Sequence, residues 1–186
     1  MQIRISWTGI ESQSEENCRI LFSGDGIDVQ SFISGIESEK KFTVNYRIRL
    51  TKNWEVISAN INFVFGDTNA AYFLEKDKGG WKLNNVSMPQ FNNCRYIDIS
   101  FTPFTNSLPI NRLNLGTNES QLIQVVYFDI EENEVREATQ KYTRVGEDQF
   151  KFENVPNDFE AVIDVDKNGL VEYYPGLFEK KSLVNK

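Results

Sequence analysis

An all-β fold of curved, mainly antiparallel sheets, arranged as a half-open barrel or a sandwich, is predicted by three features of this sequence. Apolar and polar side chains alternate with a two-residue period along nearly its whole length, which turns one face of each run inward. Turns bearing glycine or asparagine separate the runs at hairpin spacing. No stretch of ten or more residues combines a helical period with capping residues.

The chain enters an alternating run at once, with Ile3, Ile5 and Trp7 on one face. Strands are read at residues 18–23 and 27–33, around Gly24-Asp25-Gly26, where glycine supplies the positive φ that a tight turn requires. Phe42, Val44, Tyr46, Ile48 and Leu50 alternate with Thr43, Asn45, Arg47 and Arg49. After a turn at 51–53, Ile57, Ala59, Ile61, Phe63 and Phe65 repeat the pattern, so the two runs form a long antiparallel pair. Residues 70–76 and 81–86 are strands about the turn Asp77-Lys78-Gly79-Gly80.

In residues 96–102, Ile97, Ile99 and Phe101 face away from Tyr96, Asp98, Ser100 and Thr102. Pro103 ends that strand, Thr105, Asn106 and Ser107 bond to the local backbone, and Pro109 holds Leu108 extended before a strand resumes over 110–115. Two strands joined by a rigid corner are expected here. Further strands follow at 121–130, 135–145, 149–152, 159–166 and 170–174, the last two about Asp166-Lys167-Asn168-Gly169. A short helix fits 177–183 at most, and a turn fits 12–17. Residues 71–81 and 161–170 resemble each other, a hint that the single domain, 1–186, has two similar halves at 1–90 and 91–186.

Composition excludes several function classes. Among 186 residues, 27 acidic against 20 basic side chains leave a net charge of −7 with no basic cluster, so nucleic acid and anionic membrane surfaces are poor partners. No apolar run is long enough to span a bilayer and none resembles an export signal, which places the protein in the cytoplasm as an expectation. With no histidine, every Ser-His or Cys-His nucleophile and every histidine-bearing metal site is removed. Cys18 and Cys94 read as buried thiols. Asp164-Val165-Asp166-Lys167-Asn168-Gly169 matches half of a calcium loop, but Pro175 stands where a bidentate glutamate is needed, and a hairpin explains the residues without metal. No catalytic residue, metal or cofactor is called for.

Residues 102–110, TPFTNSLPI, followed by Arg112 and Leu113 and preceded by Cys94, resemble the signature of the bacterial family of "putative glycolipid-binding" proteins. The likeness runs almost the full length, through Trp7, Glu11, Cys18, Tyr46, Trp54, Gly80-Trp81, Gln140, Tyr142, Arg144, Phe159, Asp166, Gly169-Leu170-Val171 and YPGLF at 174–178. It implies an architecture similar to the half-open barrel of bacterial lipoprotein carriers, whose concave face takes acyl chains. Relative to the family pattern, Asn111 replaces a second arginine and Tyr96 a further aspartate.

Candidate ligand-binding residues follow from faces and from this resemblance: Trp54, Asp98, Thr105, Asn106, Arg112, Gln140, Tyr142 and Arg144. Asp98 and Arg112, on the two strands flanking the corner, either form a structural ion pair or present a charged face to a ligand. Gln140, Tyr142 and Arg144 alternate on one strand and so share a face, as a pocket wall or as an exposed sheet face. The 14 Phe, 7 Tyr and 3 Trp either fill the gap between facing sheets or line a hollow open to a lipid tail. The chain therefore reads as a non-enzymatic binding protein for a glycolipid or other apolar small ligand. A structural or protein-interaction module with a filled core, using the 105–109 turn as its contact surface, is the alternative; an enzyme would depend on Asp98 and Tyr142.

Overall fold

The computed structural model describes residues 1–181. The first half of the chain forms β1 (Gln2–Gly9), β2 (Ser14–Phe22), β3 (Ile27–Glu37), β4 (Lys40–Leu50), β5 (Val56–Phe65), β6 (Thr68–Asp77), β7 (Gly80–Leu83) and β8 (Val86–Ser87). The second forms β9 (Tyr96–Ile99), helix α1 (Ser107–Leu113), β10 (Ser120–Asp129), β11 (Glu134–Arg144), β12 (Gln149–Val155), β13 (Glu160–Val165), β14 (Val171–Tyr174) and β15 (Phe178–Lys180). All fifteen strands among the described residues belong to one sheet, in the order β8-β7-β6-β5-β4-β3-β2-β1-β15-β14-β13-β12-β11-β10-β9. The sheet is all-β and mostly antiparallel, and it does not close into a barrel; β8 and β9 are its two edges.

The alternation seen in the sequence becomes the two faces of this sheet. On β4, Phe42, Val44, Tyr46, Ile48 and Leu50 are buried, and on β5 the same holds for Val56, Ala59, Ile61, Phe63 and Phe65. The two strands pair antiparallel, Tyr46 opposite Ile61. Each long hairpin thus carries one apolar face that requires a cover. Curvature supplies it by bringing distant strands together. Tyr72 of β6 packs tilted against Phe128 of β10, ring centres 5.8 Å apart, and its hydroxyl donates to Asn133 Oδ1 at 2.7 Å. Phe101 lies 4.3 Å from Phe42 and 6.1 Å from Phe65.

The halves of the chain meet where β1 pairs antiparallel with β15, Trp7 opposite Lys180. The Trp7 indole reaches past β15 to donate to the Val171 carbonyl of β14 at 2.7 Å. This seam corrects the helix expected at 177–183: Phe178–Lys180 is a strand, and residues 182–183 lie outside the described residues. Its three residues are too few to show a period, so only the partner strand identifies it. The turn expected at 12–17 is also shorter, because β2 begins at Ser14 and Gln13 carries the positive φ of 40°.

The strand expected over 110–115 is a helix, α1 at Ser107–Leu113. Pro109 sits in its first turn, where a missing N–H costs nothing and the fixed φ favours the helix. Asn114 ends it in the left-handed conformation, φ 49°. The correction has a topological cause. β9 pairs with β10 in parallel, Tyr96 opposite Val125, and a parallel pair needs a crossover instead of a hairpin. A 3-10 turn (Phe104–Asn106) and α1 provide it. The helix packs on the β13–β14 turn, where Asn111 Nδ2 donates to the Gly169 carbonyl at 3.2 Å. A Cβ on Gly169, φ +66°, would meet that amide at 2.5 Å, so glycine serves both turn and contact.

One carboxyl lies in this core. Glu16, on the inward face of β2, accepts hydrogen bonds at Oε1 from Ser31 Oγ and Tyr46 Oη, both at 2.6 Å, and Tyr46 Oη lies 3.3 Å from Thr102 Oγ1. These contacts tie β2, β3 and β4 to the segment after β9. Burial outweighs the hydrogen bonds and pushes Glu16 up from 4.5 to about 7. A carboxyl raised on folding holds its proton longer folded than unfolded, so stability is full below pH 4.5 and falls as pH rises toward about 7. The expected loss over that window is about 3 kcal/mol. Glu16→Gln should flatten it, read from urea unfolding at a series of pH values; an unchanged slope would count against a neutral Glu16.

Candidate functional site

The interior enclosed by the curved sheet is not filled throughout. A cavity of about 850 Å³ opens between the end of β9, the middle of β11, the β12–β13 connection and the residues before β15. Aromatic side chains from four strands and two connections wall it: Phe101, Tyr127, Phe152, Phe159, Tyr174 and Phe178. Four of them cluster around Phe152, which lies 6.2 Å from Phe159 and 6.1 Å from Tyr174, with Phe178 6.2 Å from Tyr174. Asp98, Asn106 and Gln140 form a polar floor.

The floor is built by the crossover. Thr105, in the 3-10 turn, donates from Oγ1 to Asp98 Oδ1 at 2.6 Å and accepts from the Ile99 N–H at 3.3 Å. Gln140 of β11 donates from Nε2 to Asp98 Oδ2 at 2.6 Å. Burial raises the Asp98 pKa, and the hydrogen bonds from Thr105, Gln140 and the Ile99 amide oppose the rise. Asn106 Nδ2 donates to Tyr142 Oη at 2.8 Å. Burial, then the nearby Asp98 charge, pushes the Tyr142 hydroxyl well above its ordinary value. Its ring is set edge-on to Phe152 at 5.4 Å.

Of the eight residues singled out in the sequence, the fold brings five together. Asp98, Asn106 and Gln140 line the cavity, and Thr105 and Tyr142 lock them from behind. The other three sit elsewhere. Arg144 shares a face with Gln140 and Tyr142, but its guanidinium donates to the carbonyls of Leu115, Gly146 and Glu147. Arg112 does not meet Asp98; as part of a helix it projects to Glu55 and lies 5.7 Å over the Tyr96 ring. It borders a second cavity of about 610 Å³, with Arg95, Tyr96, Gln121 and Gln124. Trp54 occupies the β4–β5 turn at φ 62°, edge-on to Phe22 at 6.1 Å.

Sequence reading missed the rim. Glu11, Glu37, Asp129, Glu131, Glu137 and Asp158 line the cavity, with Arg136 as its only cationic lining residue among the described residues. The acid-rich β10–β11 turn was a visible signal, but its juxtaposition with Glu11 and Glu37 was not. No group of three acidic, Cys or His side chains among the described residues is placed to hold a metal ion. Asp166 of the half calcium loop instead accepts from the Asn168 and Leu170 amides and pairs with Lys180.

The sequence profile of the family described as "Putative glycolipid-binding" matches residues 4–180. A crystal structure of a DUF1089 family protein from Pseudomonas aeruginosa is similar, with a TM-score of 0.78 and 30% identity, over 88% of this chain and 91% of that one. No curated protein matches the chain.

The floor predicts its own fragility. Thr105→Val keeps the volume but removes the hydroxyl that donates to Asp98 Oδ1 and accepts from the Ile99 N–H. The expected cost is about 1–3 kcal/mol, measured by urea unfolding.

Proposed function

This chain belongs to the putative glycolipid-binding family, and on that premise we propose that it is a non-enzymatic binding protein for a glycolipid or a similar amphipathic molecule, held in the 850 Å³ cavity. One observation carries the reading: aromatic walls and a buried hydrogen-bonding floor meet in the same hollow. A volume of this size suits a small-molecule site, for which about 300–1,000 Å³ is usual. The walls offer apolar contact to a chain or to a sugar face, and the floor offers fixed polar groups for orientation.

The state of the polar groups supports binding over catalysis. Both Asp98 oxygens are already engaged, by Thr105 and Gln140. The Tyr142 hydroxyl is buried and held far from a titrating range. Neither is positioned as a free proton-transfer group. The interaction-module reading loses its surface, because residues 102–110 are all buried beneath the sheet. Among the described residues no helix is long and apolar enough to cross a membrane.

Ala138 lines the cavity beside Gln140, so Ala138→Trp should obstruct it. Calorimetric titration with n-octyl β-D-glucoside below its micelle concentration should show saturable binding to the wild type and at least about tenfold weaker binding to the variant. Thermal unfolding should confirm that the variant is folded. No binding to the wild type, or equal binding to both, would reject the cavity as the site.

A further inference from the structure

Three of the groups around the cavity have hydrogen-bonding capacity left over. Gln140 is 3% exposed and spends its Nε2 on Asp98, while its Oε1 accepts nothing among the described residues. Asn106 is 5% exposed and spends its Nδ2 on Tyr142, while its Oδ1 likewise accepts nothing. Tyr174 is 4% exposed, and its hydroxyl has no partner among the described residues. None of these three atoms is sealed away from the cavity, and all three residues line it. Buried polar atoms normally have partners. Two carboxamide oxygens and a phenol directed into one hollow fit a ligand that brings several hydrogen-bond donors.

The charge around the cavity restricts that ligand further. Among the described residues, seven lining carboxylates, Asp98 included, face a single guanidinium, Arg136, and no lysine. Arg136 is itself paired with Glu134, at 3.5 Å. Among the described residues, none of the rim carboxylates has an ion-pair partner. Glu11, Glu37 and Glu131 come from three different parts of the chain yet act on one another: desolvation, then the charges of Glu131 and Glu11, raises the Glu37 pKa. The carboxylates do not converge into a metal cage, so they act as a field over the opening.

We infer that the cavity selects a hydroxyl-rich glycosyl head, plain or amino-substituted, that carries no negative charge, and that the acidic rim excludes phosphorylated, sulfated or carboxylated heads. This rests on the binding reading above and names the chemistry of its ligand. The floor acceptors take the sugar hydroxyl protons, while an anionic head would stand among like charges with, among the described lining residues, only the Glu134-paired Arg136 to receive it.

The test pairs two amphiphiles that share chain and ring and differ in charge: n-octyl β-D-glucoside and n-octyl β-D-glucuronide, titrated calorimetrically below their micelle concentrations at pH 7.5 and low salt. The glucoside should bind at least about tenfold more tightly, with the gap narrowing as salt is raised. The double variant Glu131→Gln, Asp158→Asn, at two exposed rim positions, should narrow the gap at low salt. Tyr174→Phe should weaken the glucoside about three- to tenfold. Equal or tighter glucuronide binding overturns the inference while leaving the binding function in place. A gap that persists in the double variant overturns the role of the rim, and failure of both probes to bind removes the function itself.

Discussion

The parallel pairing of β9 with β10 is the constraint around which the rest of the molecule is arranged. Every other neighbouring pair is antiparallel, and consecutive strands of that kind need only short turns. A parallel pair cannot be closed so. The connection from Ser100 to Glu119 has to cross over, and it does so inside the concave face, with residues 102–110 wholly buried. The crossover therefore works as a core element. Phe104 stacks 6.2 Å from Tyr46, Phe101 stacks on Phe42, and Leu108 and Ile110 join the same apolar cluster.

The crossover also divides the interior. Toward β2–β5 it packs tightly, and the polar groups it meets there, Glu16 and Tyr46, bond to Thr102 and to one another. Toward β11–β14 it stops short of the opposite wall and leaves a hollow edged by Asn106 and Phe101. Packing and opening are thus two sides of one segment. Proteins that hold small ligands commonly place them where a rigid scaffold leaves such an incomplete fill.

Glu16, which is buried, and Asp98, which is half-buried, show how environment divides roles. Glu16 has two donors on one oxygen and none on the other, so desolvation dominates and the carboxyl keeps its proton until the pH approaches about 7. Asp98 has donors on both oxygens and a face toward the cavity. The first belongs to the joint between strands. The second fixes Gln140 and, through Thr105, the turn that carries Asn106, leaving their carboxamide oxygens directed at whatever enters.

Sequence alone determined most strands and which way they face, because a two-residue period is a local property that the buried side chains of β4 obey throughout and those of β5 obey from Ala59 onward; at the start of β5 a register shift turns Val56 inward and leaves Ile57 exposed. It also marked Asp98, Thr105, Asn106, Gln140 and Tyr142 as a group worth attention. It misread residues 110–115, since a run of seven with proline in the first turn satisfies a strand or a helix equally well, and the choice is made by the parallel pair. It also missed β15, whose three residues gain meaning only from Trp7 opposite Lys180. The site needed the tertiary structure for the same reason: Gln140 is 42 residues from Asp98, and Arg112, expected on the strand across the corner from Asp98, turns to Glu55 once its segment is helical. Periodicity fixes a side chain's face, whereas curvature and the crossover decide which faces meet and where the space between them stays open.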